Sequence, residues 1–259
     1  MKYVVVSRRK AAKAAIAFFV LMLPAGFFNF NMTELTGAVS AAVNKINPIY
    51  YVHIDEPKIS ISFDATWGAE HTQTILDTLD KHQVKATFFL TNIWLKEYPD
   101  MAKEIAQRGH ESGMHSASHP HMNDLSAEAI QKELLDNKQM IQEVTGYEPN
   151  LFRFPFGEYN NQSVQIVKDT GLYPIQWSVD SLDWKEELTE ADIVNRVVEG
   201  LHNGAIILCH NNGTHTAEAI DQILTAAEQK GYQVKPIGQL IYTGAYEVDV
   251  QGGQKPKTE

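Results

Sequence analysis

From residue 59 onward, apolar runs of strand length alternate with longer stretches whose apolar residues recur at helical spacing. Strand-like runs fall at 59–63, 86–90, 111–115, 152–154, 173–179 and 205–209, with a short one at 232–234. Between them, Ile75, Leu76 and Leu79 share one helical face, and Ile105 belongs to a short helix ended by Gly109. Ser126 caps a long helix built on Ile130, Leu134, Ile141 and Val144, and Gly146 stops it. Thr189 and Asp192 form a capping-box signature ahead of another helix, and a last one covers 217–229. Repeated strand–helix units predict an α/β fold with a parallel sheet, either open or closed into a barrel. In both, the site forms in loops after the C-terminal ends of strands, so reactive residues are expected there.

A chain of 259 residues suits one globular domain with appendages. Lys2, Arg8, Arg9, Lys10 and Lys13 form a basic cluster, followed by an uncharged run over residues 14–28. That is the order of a signal peptide's basic and apolar regions. The run is short for a membrane span, which needs about 20 apolar residues. Ala38-Val39-Ser40 offers a small-residue cleavage site further downstream. Residues 1–32 therefore read as a cleaved signal or an uncleaved anchor, a membrane partner either way. The domain is expected to be extracytoplasmic, membrane-anchored or secreted. Residues 33–56 read as a linker, 57–245 as the domain, and the polar, Gly-rich stretch 246–259 as a disordered tail. The net charge of -10 argues against a nucleic-acid partner. Cys209 is the only cysteine, which excludes an internal disulfide, and it reads as a small buried apolar residue.

Chemistry-bearing residues do fall at strand ends. Asp64 directly follows the run 59–63, where an Asp alone would be a turn former or a helix cap. His115-Ser116-Ala117-Ser118-His119 ends the 111–115 strand, and two imidazoles four apart can converge on a divalent ion. His121 follows Pro120, which turns it away from that pair. Arg153, set among Phe154, Pro155 and Phe156, is expected to be partly buried and so to need an anion. Asp180, Asp183 and Trp184 end the 173–179 run, and His210 ends 205–209. A His paired with an Asp makes a good general acid, because the carboxylate raises its pKa and sets its tautomer. As a set, these residues read as metal-assisted hydrolysis.

Five segments in order resemble the NodB-homology polysaccharide deacetylases, carbohydrate esterase family 4. They are Ser62-Phe63-Asp64-Ala65, His115-Ser116-Ala117-Ser118-His119, Arg153-Phe154-Pro155-Phe156-Gly157 with Asn160, Asp180 to Trp184, and Leu208-Cys209-His210. With its basic-apolar start and Ser62-Phe63-Asp64-Ala65-Thr66-Trp67-Gly68, the chain looks most like the sporulation-associated PdaB type. The resemblance implies a distorted (β/α) barrel of about seven parallel strands. It also implies an N-deacetylase of a cell-wall glycan, a hydrolase of carbon–nitrogen bonds other than peptide bonds, with peptidoglycan or a related N-acetylated glycan as partner. On this resemblance Asp64 is the base, Arg153 holds it, and His210 is the acid tuned by Asp183. His115 and His119 bind a divalent metal, Zn or Co, while Trp184, Leu208, Pro155 and Phe156 form the substrate pocket. Position 65 departs from the pattern: the family's third metal ligand is an Asp, and Ala65 has no donor atom. Metal affinity is therefore expected to be weakened. Water or substrate fills the gap, a nearby donor (Thr66, Glu70 or His71) replaces the ligand, or hydrolysis is lost and glycan binding remains.

Overall fold

The strand at the centre of the molecule shows why the sheet forms. Ile59, Ile61, Phe63 and Ala65 alternate with Ser60, Ser62 and Asp64, and all seven are buried. The apolar set enters the cluster shared with helix residues such as Ile75, Leu134 and Ile220. The serines on the other face are satisfied in place: Ser62 Oγ donates to the Ile207 carbonyl at 2.6 Å and Ser60 Oγ to that of Lys235 at 2.6 Å. The computed structural model describes residues 45–257. The expected signal or anchor (1–32) and the linker up to residue 44 lie outside the described residues.

In chain order the elements are β1 (Tyr51–Val52), β2 (Lys58–Ala65), α1 (Thr72–Lys81), β3 (Thr87–Leu90), α2 (Asn92–Glu97), α3 (Pro99–Gln107) and β4 (Glu111–Met114). Next come α4 (Ala127–Thr145), β5 (Leu151–Arg153), α5 (Asn161–Asp169), β6 (Tyr173–Ile175), β7 (Val179–Asp180), α6 (Glu190–Gly200) and β8 (Ile206–His210). The chain closes with α7 (Thr216–Gln229), β9 (Gln233–Val234), α8 (Ile237–Leu240), β10 (Tyr246–Val248) and β11 (Gly253–Pro256). Ser126 and Thr189 cap α4 and α6 as expected, and Gly146 ends α4 in the left-handed region at φ 72°. Helices α2 and α5, which Thr91 and Asn160 cap, are additions to the elements expected from sequence.

The main sheet runs β6-β5-β4-β3-β2-β8-β7, with β9 also on β2, and every pairing is parallel. This is the distorted barrel of seven parallel strands. The expected single strand 173–179 is corrected: β6 and β7 lie at opposite edges of the sheet. Between them the backbone leaves the ladder, where Gln176 N donates to the Ile49 carbonyl and Ser178 N to that of Ile206. One short stretch of chain thus runs from one edge of the sheet to the other. A second cluster lies on the other face of the sheet, with Phe89, Leu151, Ile175 and Ile206 packed on Ile49, Val52 and Ile237.

Two expected appendages belong to the folded unit. Ile49 and Val52, placed in the linker, are fully buried. The expected disordered tail instead pairs: β10 and β11 run antiparallel, and β11 lies parallel to β1. Its polar character is accommodated because Gln254, fully buried, accepts from Tyr242 N at 2.9 Å and donates to the Tyr242 carbonyl at 2.7 Å. Among the described residues no helix is long and apolar enough to cross a membrane.

Candidate active site

The residues expected at strand ends converge at the C-terminal rim of the sheet. Asp64 and His210 are register partners on β2 and β8. Arg153 ends β5, and its Nη1 donates to Asp64 Oδ1 at 2.8 Å. Its Nη2 donates to the Gln176 carbonyl at 3.2 Å. The guanidinium lies 4.0 Å from the Phe89 ring centroid, in a space that Gly113 keeps open. A Cβ at Gly113 would stand 2.5 Å from that ring. Burial opposes ionisation of Asp64, but the charge and hydrogen bond of Arg153, above all, outweigh it, so the carboxyl titrates below its ordinary value. Asp64 is therefore an anion ready to accept a proton.

His115 follows β4, and its Nδ1 lies 2.9 Å from the Arg153 carbonyl, which can only accept. The proton thus sits on Nδ1, and the Nε2 lone pair faces Asp64 Oδ2 at 3.6 Å, beyond hydrogen-bond distance. Burial keeps His115 neutral, against the pull of Asp64. Burial, and then His115, lower His119 to about 4. The rings of His115 and His119 stand edge to face at 5.0 Å. The loop between them is strained, since Ser116 and His119 have φ of 72° and 54°. Two α4 residues one turn apart hold it. Asn137 Oδ1 accepts from His115 N at 3.0 Å, and Glu133 Oε2 accepts from Ala117 N and Ser118 N, each at 2.8 Å.

These histidines supply two neutral imidazole donors, and His119 Nδ1 is buried without a hydrogen-bond partner among the described residues. A third donor is not in place. Ala65 pairs with Leu90 and is fully buried in the apolar cluster under the helices. Of Thr66, Glu70 and His71, only Thr66 lines the cleft. Among the described residues no three His, Cys, Asp or Glu side chains are grouped to hold a metal ion. The residues present therefore do not fit a metal site with three protein ligands.

His210 meets Asp183 as expected. Its Nδ1 lies 2.7 Å from Asp183 Oδ1, and its backbone N donates to Oδ2 at 2.8 Å. Thr216 Oγ1 also donates to Oδ2, at 2.6 Å. Burial disfavours the imidazolium, but the Asp183 hydrogen bond and charge overcome it, so His210 titrates above its ordinary value. With Nδ1 bound to the carboxylate, Nε2 is the atom left to give a proton.

Asp64, His115, His119 and His210 line one cleft of about 640 Å³ with Trp184, Leu208 and Phe156. Arg153 and Asp183 sit beneath it, fully buried. Pro155, expected in the pocket wall, is buried outside the lining, and Gly157 and Trp177 take that place. The adjacent Phe156 is held at φ 58°, which sets its half-exposed ring against His119 at 4.5 Å. His121 points away, stacked on Phe156 and ion-paired to Glu158 at 2.8 Å. Sequence reading missed Trp67, Glu186, Asn212 and Thr214 in the lining, and Glu133 and Asn137 behind it. The i, i+4 spacing of the last two on α4 was the available signal.

Residues 52–175 match the polysaccharide deacetylase family. The peptidoglycan-N-acetylglucosamine deacetylase PgdA of Listeria monocytogenes is 34% identical over 71% of this chain, which spans 38% of PgdA. The peptidoglycan-N-acetylmuramic acid deacetylase PdaA of Bacillus subtilis is 30% identical over 79% of each chain. Among solved structures, wild-type BA3943 of Bacillus anthracis, a CE4 family pseudoenzyme, matches with a TM-score of 0.72 at 33% identity. That match covers 80% of this chain and 70% of BA3943. A mutant of BA3943 has restored enzymatic activity. Sequence identity carried across four fifths of PdaA, together with a shared fold, shows that this chain belongs to the polysaccharide deacetylase family.

Proposed function

We propose that this protein is a weak N-deacetylase of peptidoglycan amino sugars, of the PdaB type and serving wall modification in sporulation. The carrying observation is that the Asp64–Arg153 and His210–Asp183 pairs are both intact and face the same cleft. Asp64 accepts the proton of the attacking water, and His210 Nε2 gives one to the leaving nitrogen as the carbon–nitrogen bond breaks. Leu208, Trp184 and Trp177 wall the space for the acetyl methyl group. A Zn or Co ion would be held by His115 and His119 alone, hence weakly. The basic cluster and the uncharged run over 14–28 support an extracytoplasmic, membrane-anchored or secreted protein. Recovery of the full chain from cells as a cytoplasmic, unprocessed species would refute that location.

A second reading, glycan binding without hydrolysis, is favoured by one observation, the methyl group of Ala65 in place of a third ligand. Acetate release from purified peptidoglycan, with and without added Zn or Co, separates the two. No acetate at saturating ion, with glycan still bound, leaves only the binder. Ala65→Asp is expected to tighten Zn binding at least about tenfold, since losing even an outer partner of a metal ligand costs 10–100-fold. Unchanged Zn affinity in a variant that melts cooperatively would mean that the two histidines are not poised for a metal.

A further inference from the structure

Five large apolar side chains are exposed among the described residues: Trp67, Leu135, Phe156, Trp184 and Val250. The three aromatic ones all line the cleft that holds Asp64 and His210. Trp67 is 56% exposed, and its indole stands edge to face on His119 at 5.1 Å. Exposed aromatic faces gathered at a cleft mark a ligand surface rather than a core, and the apolar face of a pyranose ring is a natural partner for an indole. The charges around them have one sign. Asp180 and Glu186 line the cleft, and no Lys or Arg does. Arg153 lies beneath, committed to Asp64, and the imidazolium of His210 is committed to Asp183. Lys185, next in sequence to Trp184 but outside the lining, stands over the Trp184 ring at 5.5 Å with its Nζ 3.9 Å from Glu187 Oε1.

From these observations we infer that Trp67 is the stacking platform for the bound sugar, and that the acidic lining selects an uncharged N-acetylhexosamine over a muramic-acid-type sugar bearing a carboxylate. The inference rests on the glycan reading above and names the sugar within it. Peptidoglycan contains both kinds of sugar, and PgdA and PdaA are named for different ones. A lactyl carboxylate entering this cleft would meet Asp180 and Glu186 with no Lys or Arg in the lining to pair it, the His210 imidazolium being already paired to Asp183. An unpaired charge of that sort is how a site rejects one of two similar ligands.

The test is titration of the full chain, followed by tryptophan fluorescence, with two tetrasaccharides. One is a homopolymer of N-acetylglucosamine and the other alternates N-acetylglucosamine with N-acetylmuramic acid. The homopolymer is expected to bind about tenfold more tightly, and added salt should narrow the gap. Trp67→Ala should weaken homopolymer binding about tenfold, Trp67→Phe should restore most of it, and Glu186→Lys should close the gap between the two ligands. Equal or tighter binding of the alternating glycan, or a Trp67→Ala variant that binds normally, overturns this inference and leaves the glycan reading standing. Failure of both glycans to bind the unaltered chain overturns the glycan reading and this inference with it.

Discussion

Asp183 reaches His210 at both the ring and the backbone, so one carboxylate sets the imidazole's orientation, its tautomer and its charge. In the proposed reaction the protonated ring is required, and the rate is lost as pH rises through His210's raised pKa. Asp183→Asn is expected to move this alkaline limb to lower pH and to reduce acetate release by about 10²–10⁴-fold. An alkaline limb that stays in place would detach His210 from the proton transfer. Arg153 governs the other side. Asp64's carboxyl is depressed in the folded state, so the pair stabilises the fold at neutral pH, and that contribution fades as pH falls through the folded pKa. Arg153→Met leaves a buried carboxylate without its partner and is expected to destabilise the protein by about 3–5 kcal/mol at neutral pH, read by urea unfolding. Most of these residues were legible in the sequence, because a titratable side chain at the end of an apolar run is a local pattern. Trp67 was not, since an aromatic residue in a loop looks the same whether it packs or faces solvent.

At the scale of elements, α4 acts as the brace for the strained loop carrying His115 and His119. Glu133→Ala removes the acceptor shared by Ala117 N and Ser118 N. We expect a loss of about 1–3 kcal/mol and faster hydrogen exchange at those two amides, with exchange in β2 unchanged. Uniformly faster exchange would show that Glu133 stabilises the whole fold rather than the loop. A second brace joins α1 to α7. His82, which follows α1, lies 2.7 Å from Asp221 and 2.9 Å from Glu228 on α7. Burial disfavours the charged ring, but both carboxylates favour it, and its pKa is raised. A raised pKa means that the brace is fully present below the ordinary His value of about 6.5 and is lost as pH rises through the folded value. Wild type should therefore lose thermal stability over that interval relative to His82→Gln, and parallel Tm curves would refute this. Beyond the i, i+4 spacing of Glu133 and Asn137, neither brace was visible in sequence, because each joins elements whose contact depends on how the helices are laid on the sheet.

For the whole molecule, the fold depends on pairings between distant parts of the chain. The 173–180 stretch supplies both edges of the main sheet, and β11 lies beside β1 across some two hundred residues of sequence. Removing residues 246–257 would expose the β1 edge and the backbone of Tyr242, which Gln254 satisfies. The expected consequence is a lower Tm by several degrees, since about 1 kcal/mol corresponds to 2–4 °C in a domain of this size. An unchanged Tm would mean that this small sheet adds nothing to stability. The sequence by itself determined the strand–helix alternation, the helix caps and the placing of Asp64, His115, Arg153 and His210 at strand ends. Each of these follows from side-chain period or from the chemistry of a few adjacent residues. Only the tertiary structure decided the order of the strands, the split of 173–180 between two edges, the pairing of the polar tail, and the packing of Ala65 among apolar neighbours. Those outcomes come from hydrogen bonds and burial between residues far apart in the chain, which no local pattern encodes.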